Sequence, residues 1–163
     1  MPELGLLLAD AVLGGASVGW PGPLDAEAAA AWWLALANRV DAGDVIVLAA
    51  RAEGHLVGTV QLRLADPPNG RHRAELAKLL VLQSHRRQGL GAALVRRAEE
   101  VAIGAGRTLL ILDTLTGSPA ENLYRKLGWV PLGVLPGYAL VAGGTLEATS
   151  FFYRDLSGLS LPA

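Results

Sequence analysis

The chain contains no cysteine. Disulfide bonds, thiolate nucleophiles and thiolate metal ligands are therefore excluded, and a reducing cytoplasm is an acceptable location. The three histidines, His55, His72 and His85, stand without metal-ligand spacing, so no metal is expected. No apolar run approaches ~20 residues, which argues against a membrane-spanning helix. The first residues lack the basic start and long apolar core of a secretory signal. Charge of one sign is also missing. The net charge is −1, so no global basic field recruits nucleic acid, and any cluster of arginines needs a local explanation. No internal repeat and no Pro/Gly-rich linker divides the 163 residues. A hydrophobic fraction of 52% against 18% charged residues suits one compact core. The expectation is a single domain over 1–163, cytoplasmic, monomeric or homodimeric.

What is present reads as alternating helices and strands. Pro2 to Leu13 is a helix with Leu4, Leu7, Leu8, Ala11 and Val12 on one face, stopped by Gly14-Gly15. The Gly/Pro-dense loop that follows carries Ser17 and Trp20, which either line a pocket or pack between helices. Asp25 caps a second helix reaching about Ala42. Strands follow at Asp44–Arg51, His55–Leu64 and Arg71–Leu82, the last two joined through Asn69-Gly70, a hairpin signal. A helix then runs from Gly89 to about Ile103, with Arg96 and Glu100 spaced to pair. The apolar Thr108–Asp113 strand reads as central and buried on both faces. Ser118-Pro119-Ala120-Glu121 is a capping box that opens a helix ending at Gly128. Trp129–Tyr138 and Thr145–Arg154 are the final strands.

One stretch stands out chemically. Leu79-Leu80-Val81-Leu82 runs through Gln83-Ser84-His85 into Arg86-Arg87-Gln88-Gly89-Leu90-Gly91. Glycines at a helix start let an anion approach unpaired backbone N–H groups, where the helix dipole adds positive potential. The segment is a cradle for a phosphate or pyrophosphate. A nucleotide P-loop would need Gly-Lys-Ser/Thr, which is absent. The dinucleotide fingerprint would need a third small residue where Leu94 stands. It would also open a parallel βαβ fold, whereas a hairpin precedes the cradle here. Asp113 falls near the place of a ribose-binding acid, so that reading stays open.

Arg86 to Gly91 resembles the Arg/Gln-x-x-Gly-x-Gly/Ala signature of the Gcn5-related N-acetyltransferase (GNAT) family. Leu123-Tyr124-Arg125-Lys126-Leu127-Gly128-Trp129 is similar to the family's second signature, Leu-Tyr-x-x-x-Gly-Phe. The order of elements from residue 2 to about 156 matches as well, except that the family's usual first strand is missing. The resemblance implies an α+β, three-layer fold: a mixed, mostly antiparallel sheet with a central parallel pair and helices on both faces. Segments 14–19, 68–70, 73–75, 78–79, 112–114 and 135–138 are further similar to the tabtoxin-resistance branch of the family, whose substrate is a toxin.

The resemblance also implies roles. Acetyl-CoA would be the cosubstrate and a small-molecule amine the partner. Arg86, Arg87, Gln88, Gly89, Leu90, Gly91 and Ala92 would hold the pyrophosphate, with Arg86 or Arg87 on a phosphate. Leu79, Leu80 and Val81 would pair with the pantetheine arm. Tyr124 would be the general acid to the departing thiolate. The family's Asn is replaced by Gly117, so Ser118 or Asn122 would take its contact. Glu75 is either the general base or a strand carboxylate paired with Arg73 or Arg71. Strand alternation puts it on one face with Arg73, Ala77, Leu79 and Val81, unless a bulge intervenes. Asp113 either accepts the amine's proton or caps a turn. Ser17, Trp20, Glu75 and Asp113 would surround the acceptor. The alternatives are an acyl-CoA or nucleotide-binding module without turnover, and a nicotinamide-dependent oxidoreductase.

Overall fold

A computed structural model describes residues 1–158. Helix α1 spans Pro2–Leu13, α2 Ala26–Ala35 and α3 Ala37–Asp41. Strands β1 (Val45–Ala52), β2 (His55–Leu64) and β3 (Arg73–Val81) follow, then α4 (Leu90–Gly104) and β4 (Leu109–Leu115). Helix α5 (Pro119–Lys126) and strands β5 (Val130–Leu140) and β6 (Leu146–Asp155) complete the fold. The six strands form one sheet in the order β1-β2-β3-β4-β6-β5. Only β3 and β4 are parallel; every other pair is antiparallel. The expected mixed sheet with a central parallel pair is present, and no strand precedes α1 among the described residues.

Local chemistry accounts for the elements. The Asp25 side chain accepts from Ala28 N at 2.7 Å and starts α2. The expected single helix to Ala42 is divided, because Leu36 N bonds Trp33 O, three residues back, and the chain re-enters a helix as α3. Ser118 Oγ accepts from Glu121 N at 3.2 Å. The Glu121 carboxylate reaches back to Gly117 N at 2.6 Å, one residue before the cap, so the capping box is displaced by one position. On α4 the ion pair joins Arg97 and Glu100 at 2.8 Å, rather than Arg96 and Glu100. Asn69-Gly70 lies in a short 3₁₀ turn, Pro68–Gly70, between β2 and β3.

Two cores flank the sheet. Leu62, Leu76, Leu94, Val95, Leu110, Leu112 and Phe152 fill the side covered by α4 and α5. Leu7, Leu8, Trp33, Val45, Leu56 and Leu80 fill the side covered by α1 and α2. Strand β4 is buried on one face only. Leu110 and Leu112 are enclosed, whereas Ile111 is 39% exposed and Asp113 opens into the gap beside β3 rather than into a packed core. The α1–α2 layer lies over β1 to β3 and leaves this part of the second face uncovered.

At the seam between α4 and the last strands, Trp129 Nε1 donates to Glu99 Oε1 at 2.9 Å, with Arg154 Nε 3.6 Å away. Burial raises the Glu99 pKa, while Arg154 and the indole N–H oppose that rise. Phe152 is fully enclosed between these elements. Phe152→Ala is expected to cost about 3–5 kcal/mol of stability by the size of the cavity it leaves, measured by urea unfolding with an unchanged m-value.

Candidate active site

Strands β3 and β4 pair over three rungs only, Arg73 with Leu109, Ala74 with Leu110 and Glu75 with Ile111. Beyond them β3 stays bonded to β2 and β4 to β6, so the facing edges of 76–81 and 112–115 have no partner across the gap. Unpaired backbone groups need a partner or water. The gap opens into a cleft of about 930 Å³ lined by β3, β4, the start of α4, α5 and the loop after α1.

At one end lies the anion cradle. A 3₁₀ turn, Gln83–His85, leads from β3 to Gly89, the N-cap of α4. Gly89 has φ 85°, and a Cβ there would meet nothing within 4 Å, so glycine is needed for its backbone conformation and the space above it is open. A Cβ on Gly91 would stand 3.2 Å from Leu123, so this glycine lets α4 approach α5. Leu90, Gly91 and Ala92, the first turn of α4, line this end of the cleft, and N–H groups in a first helical turn have no partner within the helix.

The two arginines separate. Arg86 turns inward: its Nε donates to Val81 O at 3.1 Å, and its guanidinium lies 3.1 Å from where a Gly14 Cβ would be. It fastens the end of α1 to β3. Gln83 strengthens the same junction through Asp10, with N to Oδ2 at 2.9 Å and Nε2 to Oδ1 at 3.2 Å. Arg87, with φ 62°, is exposed at the rim of the cleft. The Gln88 amide bonds Ser84 O at 3.4 Å, and the residue is outside the lining.

On the far wall, Ser118 and the exposed Asn122 line the cleft. The Ser118 hydroxyl is engaged at the helix cap and stands 3.3 Å from Thr114 Oγ1. Tyr124 reaches the lining from the core, where its ring lies 5.8 Å from Trp129 and 6.3 Å from Phe152. Burial, and then the negative charge of Asp113, raise its pKa.

The other end of the cleft faces the α1–α2 layer. Register shifts between Thr59 and Gln61 against Leu80 and Ala77, leaving an extra residue in β3 beside Lys78, whose φ is 51°. This bulge reverses the alternation. Ala74 and Leu76 face the α4 core, and so do Leu79 and Val81, whereas Leu80 faces the α1–α2 core. Glu75 therefore shares a face with Arg73 and Ala77 but not with Leu79 and Val81. Its ion pair is also different from the expected ones: Arg63 on β2, its cross-strand neighbour, binds it at 3.1 Å.

Asp113, two residues beyond Ile111 on β4, shares the Glu75 face and lines the same cleft. Its carboxylate has no ion-pair partner among the described residues, and burial raises its pKa against the pull of Lys78 and Arg63. Ser17 is in the lining. Trp20 is not; it packs edge-on against Trp32 at 5.2 Å, behind the wall. Among the described residues no three His, Asp or Glu side chains gather as metal ligands would.

Arg63 and Lys78 are the site residues that reading the sequence did not single out. The signal for Lys78 was its place as the one charged residue in Leu76-Ala77-Lys78-Leu79-Leu80-Val81. Its Nζ donates to Val18 O and lies 5.2 Å from the Trp20 ring and 5.4 Å from the Trp32 ring.

A slot between splayed strands, ending in a left-handed glycine at a helix start, suits a long ligand with a peptide-like arm and a pyrophosphate. The model of the acetyltransferase (GNAT) family matches residues 12–129. The chain belongs to this family. N-acetyltransferase 8 of Rattus norvegicus is 40% identical over 86 residues, 52% of this chain and 39% of its own length. N-acetyltransferase 8 of Homo sapiens is 38% identical over the same length, covering 52% and 38%. The chain thus spans about two fifths of the curated relatives it matches.

Among solved structures, a ribosomal-protein-alanine N-acetyltransferase from Brucella melitensis superposes with TM-score 0.79 at 27% identity, covering 95% of this chain and 93% of that one. The Salmonella typhimurium protein yncA, solved with its cofactor acetyl-CoA, superposes at 0.77 with 22% identity, covering 98% and 90%. Acetyl-CoA is the cosubstrate in the GNAT family. The open space at Gly89 and the unpaired edges of β3 and β4 fit it.

The two arginines should respond differently. Arg87→Ala is expected to weaken coenzyme A binding about tenfold, the value of one charge-assisted contact, with no change in unliganded melting. Arg86→Ala should lower the melting temperature of the unliganded protein by loosening α1. Thermal unfolding with and without coenzyme A checks both.

Proposed function

We infer that the protein transfers the acetyl group of acetyl-CoA to the amine of a small molecule. The observation that carries the reading is the pair of unpaired edges, 76–81 and 112–115, opening beside the α4 N-terminus. The edge at Leu79–Val81 would satisfy its amides and carbonyls on the pantetheine arm. Leu90, Gly91 and Ala92 would donate backbone N–H groups to the pyrophosphate, with Arg87 alongside. Ser118 and Asn122 would stand in for the family's Asn, replaced here by Gly117.

The chemistry needs an uncharged amine, a place for its proton and a proton for the departing sulfur. Asp113 is the base in this reading. Its carboxylate is free and its pKa is raised, so it holds a proton more readily than an ordinary carboxylate. Glu75 is held by Arg63 and positions the acceptor. Tyr124 keeps its proton because burial and the Asp113 charge disfavour the phenolate, so its hydroxyl enters the step protonated and would donate to the departing sulfur.

The acceptor face carries Arg63 and Lys78 beside Glu75 and Asp113, equal in both signs. That balance suits a molecule bearing an amine and an acid, so the acceptor is amino-acid-like, with amino-acid-like toxins and antibiotics in that class. The likeness of scattered segments to the tabtoxin-resistance branch supports the same class. Gly117 favours a second reading, an acyl-CoA-binding module without turnover. Stabilisation by acetyl-CoA with no product across a broad amine panel would select it. Coenzyme A release can be followed with a thiol reagent against no protein thiol background, since the chain has no cysteine.

Tyr124→Phe is expected to lower kcat about a hundredfold while acetyl-CoA still stabilises the fold; full turnover by the variant removes Tyr124 as the acid. In the wild type, kcat/KM should fall as pH drops through a limb above the usual carboxylate range, because a base with a raised pKa is protonated earlier. In Asp113→Asn that limb should vanish, leaving only the ionisation of the acceptor amine. In Glu75→Gln it should persist with a higher KM. A limb retained in Asp113→Asn and lost in Glu75→Gln reverses the assignment.

A further inference from the structure

The acceptor face already contains an amine. The chain has two lysines, and one of them, Lys78, sits at the β3 bulge inside the cleft. It directly precedes Leu79–Val81, the edge read above as the partner of the acyl arm. We propose that Lys78 is an internal acetyl acceptor: with acetyl-CoA bound and no external amine, the protein acetylates its own Lys78 Nζ. The proposal rests on the acetyltransferase reading of the cleft.

The surroundings of Nζ are specific. Val18 O accepts from it, and the Trp20 and Trp32 rings flank it at 5.2 and 5.4 Å. Gly19, at φ 101°, leaves it room, since a Cβ there would lie 3.1 Å from Nζ. The charged groups that face it are Arg63 from β2, Glu75 from β3 and Asp113 from β4; the helical layer contributes only the carbonyl and the two indoles. Burial, and then Arg63, lower its pKa to about 8 against the opposing pull of Glu75 and Asp113. About a tenth of Nζ therefore carries a free lone pair at pH 7, far more than an exposed lysine offers.

The step balances without a further reactant. The Nζ lone pair forms an N–C bond to the thioester carbonyl carbon and the C–S bond breaks. The proton leaving nitrogen passes through water to Asp113, which lies beyond ion-pair distance of Nζ, and the Tyr124 hydroxyl proton passes to sulfur, so the products are acetyl-lysine and coenzyme A thiol. The neutral amide no longer gains from the two indoles as a cation does. It also withdraws the charge that holds the Asp113 pKa down. The modified protein carries its acetyl group in the acceptor half of the cleft, so modification stops at one group and blocks turnover.

The test uses the full chain incubated with acetyl-CoA bearing a deuterated acetyl group and no amine, followed by intact mass and peptide mapping. The exposed Met1 amine reports non-enzymatic acetylation in the same sample, and Lys126, which borders the same cleft at the end of α5, reports transfer to a lysine that lacks the Lys78 surroundings. The expected result is one label, on Lys78, with Lys126 and Met1 unlabelled at that time. Labelling should slow about a hundredfold in Tyr124→Phe, the size of a general-acid contribution, and also slow in Asp113→Asn. Lys78→Arg, which keeps a cation between the indoles, should take up no label. Equal label on Lys78, Lys126 and Met1, or Lys78 labelling unaffected by both variants, overturns the proposal. So does an unlabelled Lys78 in protein that is stabilised by acetyl-CoA, and that outcome leaves the acetyltransferase reading standing. Absence of any stabilisation by acetyl-CoA overturns the reading itself.

Discussion

The parallel pairing of β3 and β4 stops after three rungs, and the rest of the site depends on that stop. A full ladder would satisfy the backbone from Leu76 to Val81 and close the sheet. The early end leaves two facing edges with unmet donors and acceptors inside an otherwise continuous six-stranded sheet. An extended, amide-bearing ligand can meet them in the manner of an added strand. The bulge at Lys78 belongs to the same device. It lets β3 remain bonded to β2 on one side while its other edge leaves β4, and it turns Leu79 and Val81 toward the α4 core. One inserted residue thus gives two parts of β3 different tasks. The first part presents Glu75 to the end of the cleft beside the α1–α2 layer, and the second forms the slot.

The opening has to be held at a fixed width, and α1 does this from outside the sheet. Asp10 binds the turn after β3 through Gln83, and Arg86 binds back to Val81 and lies against Gly14. These contacts join residues about seventy positions apart in sequence and fix the loop that carries Ser17 and Val18 over the acceptor face. Arg86, which also lines the cleft, thereby ties this end of the slot to its wall. Exposed Arg87 and the first turn of α4 add positive potential at the same end.

The anion cradle, the capped start of α5 and the antiparallel lead-in were legible in the sequence because each is written in neighbouring residues. Gly89 needs a positive φ and Ser118-Pro119 needs a helix start, and both requirements are local. What was not legible depends on register. Strand alternation assigns Glu75 and Val81 to one face, and a single extra residue at Lys78 separates them. The Glu75 partner follows from the same register: Arg63 lies opposite in β2, whereas Arg73 and Arg71 only look close in sequence. Arg86 and Arg87 are chemically identical neighbours, and only the left-handed backbone at Arg87 sends one inward and the other to the rim. Thr108–Asp113 is apolar enough for burial on both faces. Its exposure reflects where the α1–α2 layer ends, which no residue of β4 encodes.

The charges on the acceptor face are coupled, so none has an independent role. Asp113 raises the Tyr124 pKa, and Lys78 and Arg63 lower that of Asp113. Glu75 and Asp113 in turn keep Lys78 from losing its proton more readily than it does. Burial drives all three shifts in the direction that favours the neutral form; opposite charges partly offset it at Asp113 and Lys78, whereas the Asp113 charge adds to it at Tyr124. A site poised this way moves a proton with little change in net charge, which suits a reaction that takes a proton from nitrogen and gives one to sulfur. It also makes Lys78 the sensitive point. Neutralising that single nitrogen raises Asp113 further toward its protonated form, and protonated Asp113 no longer disfavours the Tyr124 phenolate. Asp113 and Tyr124 would then lose the separation of their charge states together. A lysine placed at a bulge, between two indoles and three charged groups, therefore sets the working balance of the cleft without belonging to either motif that marks the family.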